Sequence, residues 1–191
     1  MMHQILVASG NQNKIDEMRA ILKTKFEVLG LKDINWTEEI PEPFDTIREN
    51  AIHKAHYFFE KTGKPCFSED SGLEVDALDG KPSAFSARFA GPEKNDLANI
   101  HKVLELMQGV ENRTAQFKSV MVFYDGSQEI ITEGVMKGAI IHEIKGENGF
   151  GYDPIFMADN QTLTNAELTK DQKNEISHRR KALDKMIAML G

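Results

Sequence analysis

The chain has 191 residues, of which 40% are hydrophobic and 28% charged, and its formal net charge is −7. This length fits one domain with a substantial core, and the acidic balance argues against a protein that mainly coats nucleic acid or an anionic membrane. The lone cysteine, Cys66, cannot form an internal disulfide and suits a reducing compartment. We therefore expect a cytoplasmic protein with a single domain over residues 1–191.

The first predicted elements are a strand, a loop and a helix. The apolar stretch QILVA (4–8) is typical of a short buried strand and is too short for a signal peptide or a membrane span. SGNQN (9–13) predicts a loop, Lys14 to Lys23 has the spacing of an amphipathic helix, and FEVLGL (26–31) predicts a second strand. This order is typical of the start of an α/β fold.

The next segments alternate irregular and regular structure. IPEPF (40–44) contains two prolines and must be irregular, whereas Thr46 to Lys61 predicts a helix that Gly63 ends. PCFS (65–68) predicts a short strand that runs into an acidic turn at Ser71-Gly72. Glycine is expected where a backbone turns sharply or approaches a ligand closely.

The second half predicts a loop-rich segment, a helix, a hairpin and a last helix. Residues 95–107 have a helical apolar face, and residues 114–141 form two β-rich runs that meet at DGSQ, which is a hairpin signal. GENGFGYDPIF (146–156) is a glycine-rich loop, and a helix covers about 177–190. We expect an α/β fold with a mixed β-sheet and flanking helices. The apolar faces of the two helices are formed by Leu97, Ile100, Leu104 and Met107, and by Ala182, Leu183, Met186, Ile187 and Leu190.

The stretch SEDSGLEVDA (68–77) holds four carboxylates, and three interpretations are open. It can be a solvated loop, as charge clusters usually are. It can be a site for a hard cation, because Mg²⁺ binds one or two carboxylates together with substrate phosphates. It can hold a serine nucleophile at Ser71, but no histidine or lysine base is identifiable beside it in the sequence.

Three further motifs each allow a structural and a functional interpretation. SGNQNK (9–14) is either a capped turn or an anion cradle at a helix start. The aromatic residues Phe150 and Tyr152 are either core residues or a stacking platform for a heterocycle. His178 and Arg179 follow Ser177, a candidate N-cap, and cations in a first helical turn oppose the helix dipole, so an anionic or carbonyl-bearing ligand is one explanation for them.

Taken in order, these segments resemble the inosine triphosphate pyrophosphatase family, which hydrolyses non-standard purine nucleoside triphosphates. The resemblance covers nearly the whole chain. The matching motifs are SGNQNK (9–14), ENAIHKA (49–55), EDSGLEVDALDGKP (69–82), FSARFAG (85–91), GFGYDPIF (149–156) and ISHRRKAL (176–183).

The resemblance implies two lobes around a central nucleotide-binding cleft, a homodimer, and a Mg²⁺-dependent reaction. It implies that dITP or ITP and XTP or dXTP react with water to give the monophosphate and pyrophosphate. A Maf-like nucleotide pyrophosphatase, which would act on other bases, and a catalytically silent nucleotide-binding protein are the alternatives. An RNA-binding module is disfavoured by the acidic balance, so neither nucleic acid nor a membrane is an expected partner.

The resemblance also implies roles for individual residues. Asp70 matches the proton acceptor and a metal ligand, Glu42 matches a metal-binding acid, and Glu69, next to Asp70, is the third acid expected at the metal. Lysines would stabilise charge on the phosphates, and donors such as His178 or Arg179 would recognise purine O6. The substrate contacts that it implies are Ser9, Gly10, Asn11, Gln12, Asn13, Lys14, Lys54, Ser71, Phe150, Gly151, Tyr152, Asp153, Lys173, His178 and Arg179.

Three positions depart from the family pattern. Ser9 stands where threonine is more usual, and its hydroxyl preserves the role. Ser83 stands where glycine is common, so that loop is expected to differ in shape. Glu69 replaces an aspartate, and the extra methylene can shift a bound metal.

Overall fold

The computed structural model describes residues 3–22 and 26–190, and it has the mixed α/β architecture that the sequence predicts. Lys23, the last residue of the first predicted helix, lies outside this range. The described strands and helices are β1 (His3–Leu6), α1 (Gln12–Leu22), β2 (Phe26–Leu29), α2 (Ile47–Thr62), β3 (Cys66–Val75), α3 (Asp96–Leu106), β4 (Thr114–Tyr124), β5 (Glu129–Ile140), β6 (Phe156–Ala158), α4 (Lys170–Ile176) and α5 (His178–Leu190).

A parallel pair of strands opens the fold. β1 pairs with β2, with Ile5 opposite Val28, and α1 provides the crossover that a parallel connection requires. Beyond β1, Val7 forms an isolated parallel bridge to Phe67 of β3, and the N–H of Ala8 donates to the Phe67 carbonyl at 2.7 Å. These bonds place the loop that follows β1 next to β3.

A second sheet has the strand order β3-β4-β5-β6. Residues 125–128 connect β4 to β5 and are too few for a parallel crossover, so this pair is the predicted antiparallel hairpin. Asp125 shapes the turn, because its Oδ1 accepts from the N–H groups of Ser127 and Gln128 at 2.8 and 2.7 Å. β5 and β6 are also antiparallel, with Ala139 opposite Met157.

Helix ends follow the chemistry of their flanking residues. The Thr46 hydroxyl accepts from the N–H of Glu49 at 3.1 Å, and Gly63 ends α2 in the left-handed region with φ 63°. Asn95 caps α3 by accepting from the N–H of Ala98 at 2.9 Å. The limits that the sequence predicts for α2 and α3 are therefore confirmed to within a residue.

The predicted turn at Ser71-Gly72 is wrong. β3 runs without interruption from Cys66 to Val75, and Gly72 is buried within it. A Cβ atom at Gly72 would lie 2.1 Å from the carbonyl oxygen of Ser83, so glycine is needed for close backbone approach and not for a turn. Ser83 itself has φ 49°, a left-handed conformation that favours glycine.

One other sequence expectation is corrected, and one helix is found that the sequence analysis did not predict. Leu97 is 55% exposed and Leu190 is 41% exposed, so neither belongs to the buried face of its helix. α4 was not predicted, although its start carries a capping box in which the Thr169 hydroxyl and the Gln172 side chain bond each other's backbone N–H groups.

The chain divides into two compact units, and each has its own hydrophobic core. The first unit comprises residues up to Asp70, residues 119–134 and residues from Arg179 onwards, and the second comprises residues 71–118 and 135–178. The single-domain expectation stays a prediction. Over the described ranges, every helix is too short or too polar to cross a membrane. The first core includes Val7, Ile15, Met18, Phe67, Met121, Leu183 and Met186, and the second includes Leu73, Val103, Met136, Tyr152, Ile155 and Phe156.

Candidate active site

Charged side chains from separate segments of the first unit converge in one place, which we call the charged cluster. α1, α2, β3 and α5 each contribute to it, and the proline-containing loop before α2 adds one carboxylate. Its members are Lys14, Glu17, Glu42, Lys54, Glu69, Asp70 and Arg179.

Glu69 is fully buried, and each of its oxygens lies beside a cation. Lys14 Nζ lies 2.9 Å from Oε2, while Oε1 accepts from Ser119 Oγ at 2.8 Å and from Arg179 Nη2 at 3.2 Å. Burial alone would raise the pKa of Glu69, but the charges of Arg179 and Lys14 hold it well below its ordinary value. Glu69 is thus an ionised anchor for two cations, which favours a positioning role over the predicted role near the metal.

One carboxylate oxygen of Asp70 contacts two lysines, and the other, which we call the open oxygen, has no partner among the described residues. Oδ1 lies 3.2 Å from Lys54 Nζ and 3.8 Å from Lys14 Nζ, whereas Oδ2 is buried and has no hydrogen-bond partner within the described residues. Burial raises the pKa of Asp70, and the lysine charges oppose this while Glu42 and Glu69 add to it. A buried carboxylate with a raised pKa and an open oxygen is equipped to hold and deprotonate a water molecule.

Lys54 joins Asp70 to the loop before α2. Its Nζ donates to Glu42 Oε1 at 2.5 Å and to Asp70 Oδ1 at 3.2 Å. Burial lowers the pKa of Lys54, but the carboxylates of Asp70 and Glu42 outweigh burial and leave it above its ordinary value. The ammonium is therefore charged. Its nitrogen contacts two of the three predicted metal-ligand acids, Glu42 and Asp70.

The protein itself supplies the anions that balance Arg179 in the first turn of α5. Its guanidinium is 1% exposed and donates to Glu17 and to Glu69. These carboxylates keep the pKa of Arg179 above its ordinary value despite burial. The unfavourable helix-dipole position is thus explained without a ligand, and the predicted contact of Arg179 with a purine stays a prediction.

The SGNQNK segment adopts the capped turn that was one of its two interpretations. Asn11 Oδ1 accepts from the N–H groups of Asn13 and Lys14 at 3.0 and 3.3 Å, and the N–H of Asn11 donates to Ser9 Oγ at 3.3 Å. Gln12 donates through its side chain to Asp16 at 2.9 Å, and Gly10 is exposed. A phosphate would have to displace the Asn11 side chain from the first-turn amides, so phosphate contact by this segment stays a prediction.

A second group of predicted site residues lies in the second unit, where residues 149–153 form what we call the aromatic loop. Asp153, the last residue of this loop, is buried and accepts from the N–H of Phe150 at 2.9 Å. The same carboxylate accepts from Lys173 Nζ at 2.6 Å and from Asn165 Nδ2 at 3.2 Å. Lys173, on α4, therefore contacts the aromatic loop and is not a member of the charged cluster as defined above.

The two aromatic residues of this loop differ in accessibility. Tyr152 is 3% exposed, packs in the second core, and donates from its hydroxyl to the Ser86 carbonyl at 2.8 Å. It is a core residue, which was the structural interpretation. Phe150 is only partly buried, and Lys173 Nζ lies 4.8 Å from its ring centroid. Phe150 is therefore the better stacking surface of the two.

The remaining predicted contacts are placed as follows. Gly151 has φ 59°, and its N–H donates to Asp96 at 2.8 Å. His178 is buried and stacks on Phe117, with ring centroids 5.1 Å apart and planes 13° apart. Ser71 is half-buried in β3, immediately after Asp70.

Several positioning residues were missed by sequence reasoning. Glu17 follows Lys14 by three residues on α1, so helical spacing could have indicated it. Ser119, Asn165 and Asp96 act across 50, 12 and 55 residues of sequence, respectively, and no local pattern indicates them.

Comparison with known proteins gives one consistent result. The model of the Ham1 family matches residues 5–189. A dITP/XTP pyrophosphatase from Flavobacterium johnsoniae is 47% identical over 188 residues, which are 98% of this chain and 97% of the relative. A dITP/XTP pyrophosphatase from Bacillus subtilis is 43% identical over 194 aligned positions, with 100% and 98% coverage.

Solved structures agree with these sequence relatives. The Staphylococcus aureus Ham1 protein superposes with a TM-score of 0.88 at 39% identity, covering 98% of this chain and 97% of that one. A HAM1 protein from Coxiella burnetii also gives 0.88, at 37% identity with 99% and 98% coverage. The likeness in sequence and in fold therefore extends over almost the whole chain.

Proposed function

Because the chain belongs to the Ham1 family, we propose that it hydrolyses non-standard purine nucleoside triphosphates, dITP or ITP and XTP or dXTP, to the monophosphate and pyrophosphate. Relatives that share up to 47% of its residues over the full length are dITP/XTP pyrophosphatases. The Maf-like alternative loses its support, since the matching family model is that of Ham1. The silent-protein alternative is disfavoured by a charged cluster that keeps an open carboxylate oxygen.

The observation that carries this function is the environment of Asp70. One of its oxygens faces two lysines, and the other is buried and without a partner in the described part of the chain. Burying an unpaired carboxylate oxygen is unfavourable unless something binds it. A water molecule or a cation that arrives with the nucleotide would satisfy it.

We assign the proton transfer to this carboxylate. Asp70 orients a water molecule and accepts its proton as the water oxygen attacks the α-phosphorus. The bond between that phosphorus and the bridging oxygen to the β-phosphorus breaks, and pyrophosphate leaves with the electron pair. Lys14 and Lys54 stabilise the charge that develops on the phosphate oxygens, because each amine nitrogen carries three N–H donors and lies beside Asp70.

We assign a Mg²⁺ ion to Asp70 and Glu42. The described residues contain no group of three or more histidine, cysteine or acidic side chains arranged to hold a metal ion. This fits Mg²⁺, which is usually held by one or two carboxylates and completed by phosphates and water. Asp70 Oδ2 has no hydrogen-bond partner among the described residues, and Glu42 contacts the same nitrogen, Lys54 Nζ, as Asp70 does. When bound, the ion would polarise the phosphate oxygens and offset their charge.

The charge balance of the cluster supports this assignment. Its four carboxylates and three cations leave one net negative charge, which would repel a triphosphate. A divalent cation reverses that sign. Glu69 is the least suited of the predicted ligands, because Oε1 accepts from two donors and Oε2, which has no hydrogen-bond partner among the described residues, is paired with the Lys14 ammonium at 2.9 Å.

We assign the base to the aromatic loop. Lys173 covers part of Phe150, and the remaining ring surface can stack on a purine. Inosine and xanthine present an acceptor at O6, whereas adenine presents a donor there, so donors such as His178 or backbone N–H groups would select against adenine. Rejection of guanine needs an element that acts near C2.

Two broader assignments accompany the reaction. We propose a homodimer, which the family resemblance implies, and sedimentation of the purified chain tests it directly. We also propose a cytoplasmic location, which the buried lone thiol of Cys66 supports, because such a thiol suits a reducing compartment.

One assay tests the function. The purified protein is incubated with Mg²⁺ and dITP, XTP, dATP, dGTP or dTTP, and both pyrophosphate and orthophosphate are measured. We expect pyrophosphate from dITP and XTP in large excess over the other three. Preference for dATP, or release of orthophosphate alone, would overturn the proposal.

A further inference from the structure

Glu42 lies in a loop that has few means of holding itself in place. Pro41 and Pro43 flank Glu42 and have no N–H group, so the segment cannot form a regular hydrogen-bonded ladder. No helix or strand covers residues 40–44. Nevertheless, the Glu42 carboxylate reaches the buried ammonium of Lys54 at 2.5 Å. Something outside the loop must fix its backbone.

Asn50 supplies that constraint. Its Oδ1 accepts from the N–H of Phe44 at 2.9 Å, and its Nδ2 donates to the Phe44 carbonyl oxygen at 2.9 Å. Asn50 is fully buried in the first turn of α2. One carboxamide thus binds both backbone groups of Phe44, as a neighbouring strand would, and this fixes the backbone two residues after Glu42.

The same helix face controls both ends of this short segment. Asn50 and Lys54 are separated by four residues, so they project from the same side of α2. Asn50 holds the backbone at Phe44, while Lys54 holds the side chain of Glu42 and also contacts Asp70. The position of Glu42 relative to Asp70 is therefore set from one rigid element.

We propose that Asn50 is a positioning residue of the active site that fixes the Glu42 loop so that its carboxylate faces Lys54 and Asp70. This inference rests on the proposed function through the role of Glu42. Asn50 itself does not touch the reacting atoms. Its contribution is geometric, since displacement of a catalytic group by about 1 Å can lower a rate by roughly 100-fold.

A test of the contact itself needs no activity. Hydrogen exchange of the backbone amide at position 44 is measured in the full chain and in Phe44→Ala, whereas Phe44→Pro has no amide there and serves the kinetic test. The alanine variant keeps the N–H and should exchange as slowly as the parent. The proline variant removes the N–H donor of residue 44 and leaves Asn50, which is buried on α2, unchanged. Fast exchange of the Phe44 amide in the unaltered protein would overturn the contact.

Kinetics test the consequence. We expect Asn50→Ala to lower kcat for dITP by about 10- to 100-fold and to raise the half-saturating concentration of free Mg²⁺. Phe44→Pro should shift the Mg²⁺ requirement in the same direction, whereas Phe44→Ala should not. Phe44→Pro therefore decides the question if Asn50→Ala does not fold.

A matched control exists in the second unit. Asn99 is also buried on a helix and also binds loop backbone groups, accepting from the N–H of Ala90 at 2.7 Å and donating to the Ala87 carbonyl at 3.0 Å. Asn99→Ala makes the same chemical change in the other unit. We expect it to leave the Mg²⁺ requirement unchanged, and an equal shift in both variants would mean that Asn50 has only a structural role.

A double variant separates action through Glu42 from other effects. If Asn50 acts through Glu42, Asn50→Ala should lower kcat no further, within about threefold, once Glu42→Gln is present. If the two changes together lowered kcat by the product of their separate effects, the proposal would be overturned. Failure of the unaltered protein to hydrolyse dITP would instead overturn the proposed function, and the hydrogen-exchange result on Phe44 would still stand.

Discussion

Glu69→Gln tests whether the buried acid of the charged cluster is a structural anchor. The substitution keeps the size of the side chain and removes its charge. Lys14 and Arg179 then lose their partner at 2.9 and 3.2 Å, although each retains another carboxylate, Asp70 for Lys14 and Glu17 for Arg179. The neutral amide can still accept from Ser119.

The expected loss of stability follows from these contacts. Removing one member of a buried ion pair costs about 3–5 kcal/mol. The retained carboxylates place this change at the lower end, about 3 kcal/mol, which is a large part of a total stability of about 5–15 kcal/mol. For a chain of this length, 1 kcal/mol shifts Tm by about 2–4 °C, so Glu69→Gln should lower Tm by about 6–12 °C.

Calorimetry at neutral pH measures this shift, and Glu74→Gln is the control. Glu74 lies on the same strand but accepts only from the neutral side chains of Gln116 and Ser83, at 2.8 and 3.3 Å, in its described hydrogen bonds. Its substitution should change Tm much less. A drop of less than about 2 °C for Glu69→Gln, or equal drops in both variants, would refute the anchor role.

The stability difference between the unaltered protein and Glu69→Gln should depend on pH with a definite sign. The folded pKa of Glu69 is lowered, so its stabilising effect is present above the unfolded value of about 4.3 and is lost as pH falls below it towards the folded pKa. The difference in stability between the parent and Glu69→Gln should therefore shrink below about pH 4.3. A difference that grows on acidification would contradict the assignment.

Asp70→Asn should lower kcat for dITP by at least ~100-fold, the low end for loss of a general base, and near-normal turnover in a coupled pyrophosphate assay would remove Asp70 from that role. Gly72→Ala should lower the free energy of unfolding by about 1–3 kcal/mol in urea, because the added Cβ would lie 2.1 Å from the Ser83 carbonyl oxygen, and an unchanged midpoint would contradict this packing. Burial raises the pKa of Cys66 to about 12, so a disulfide reagent at pH 8 should modify the unfolded chain quickly and the folded chain only very slowly, whereas rapid modification of the folded chain would contradict its burial. Chelation of divalent ions should abolish hydrolysis of dITP but change Tm by less than about 2 °C, because the buried carboxylates of the charged cluster have lysine or arginine partners, and a large drop would indicate a structural metal site.

Local patterns were sufficient for most elements of the fold. α2 is predicted within a residue because Thr46 and Gly63 act on their own neighbours, and the hairpin follows from the turn chemistry of Asp125. The error at Ser71-Gly72 has a different origin. Acidic residues beside Ser-Gly are typical of a turn, but this segment is buried against residues ten or more positions away, and Gly72 is required by Ser83. Tertiary packing therefore overrode the local signal.

The same distinction explains which site roles were predictable. Motif spacing was sufficient to predict Lys14 and Asp70 as site residues, because they belong to segments that each resemble a known pattern. Motif spacing does not predict the partners of these side chains, because ion pairs form between residues that are close in space but can be distant in sequence. Arg179 was expected to face a ligand, yet its two terminal guanidinium nitrogens donate to Glu17 and Glu69 from distant segments.

The four acids of residues 68–77 have different functions because each has different partners. Glu69 meets two cations and a hydroxyl group, Glu74 accepts from neutral side chains, and Asp76 is exposed in the turn after β3. Of these four, Asp70 alone is buried with an oxygen that meets neither a hydrogen-bond donor nor a cation among the described residues. Repulsion within the acidic stretch is thus relieved by protein groups at Glu69 and by solvent at Asp76, and no bound cation is needed for the fold. The unpartnered oxygen of Asp70 is the atom that the proposed reaction uses, so in that proposal the segment acts on a polyanion through one atom and not through its total charge.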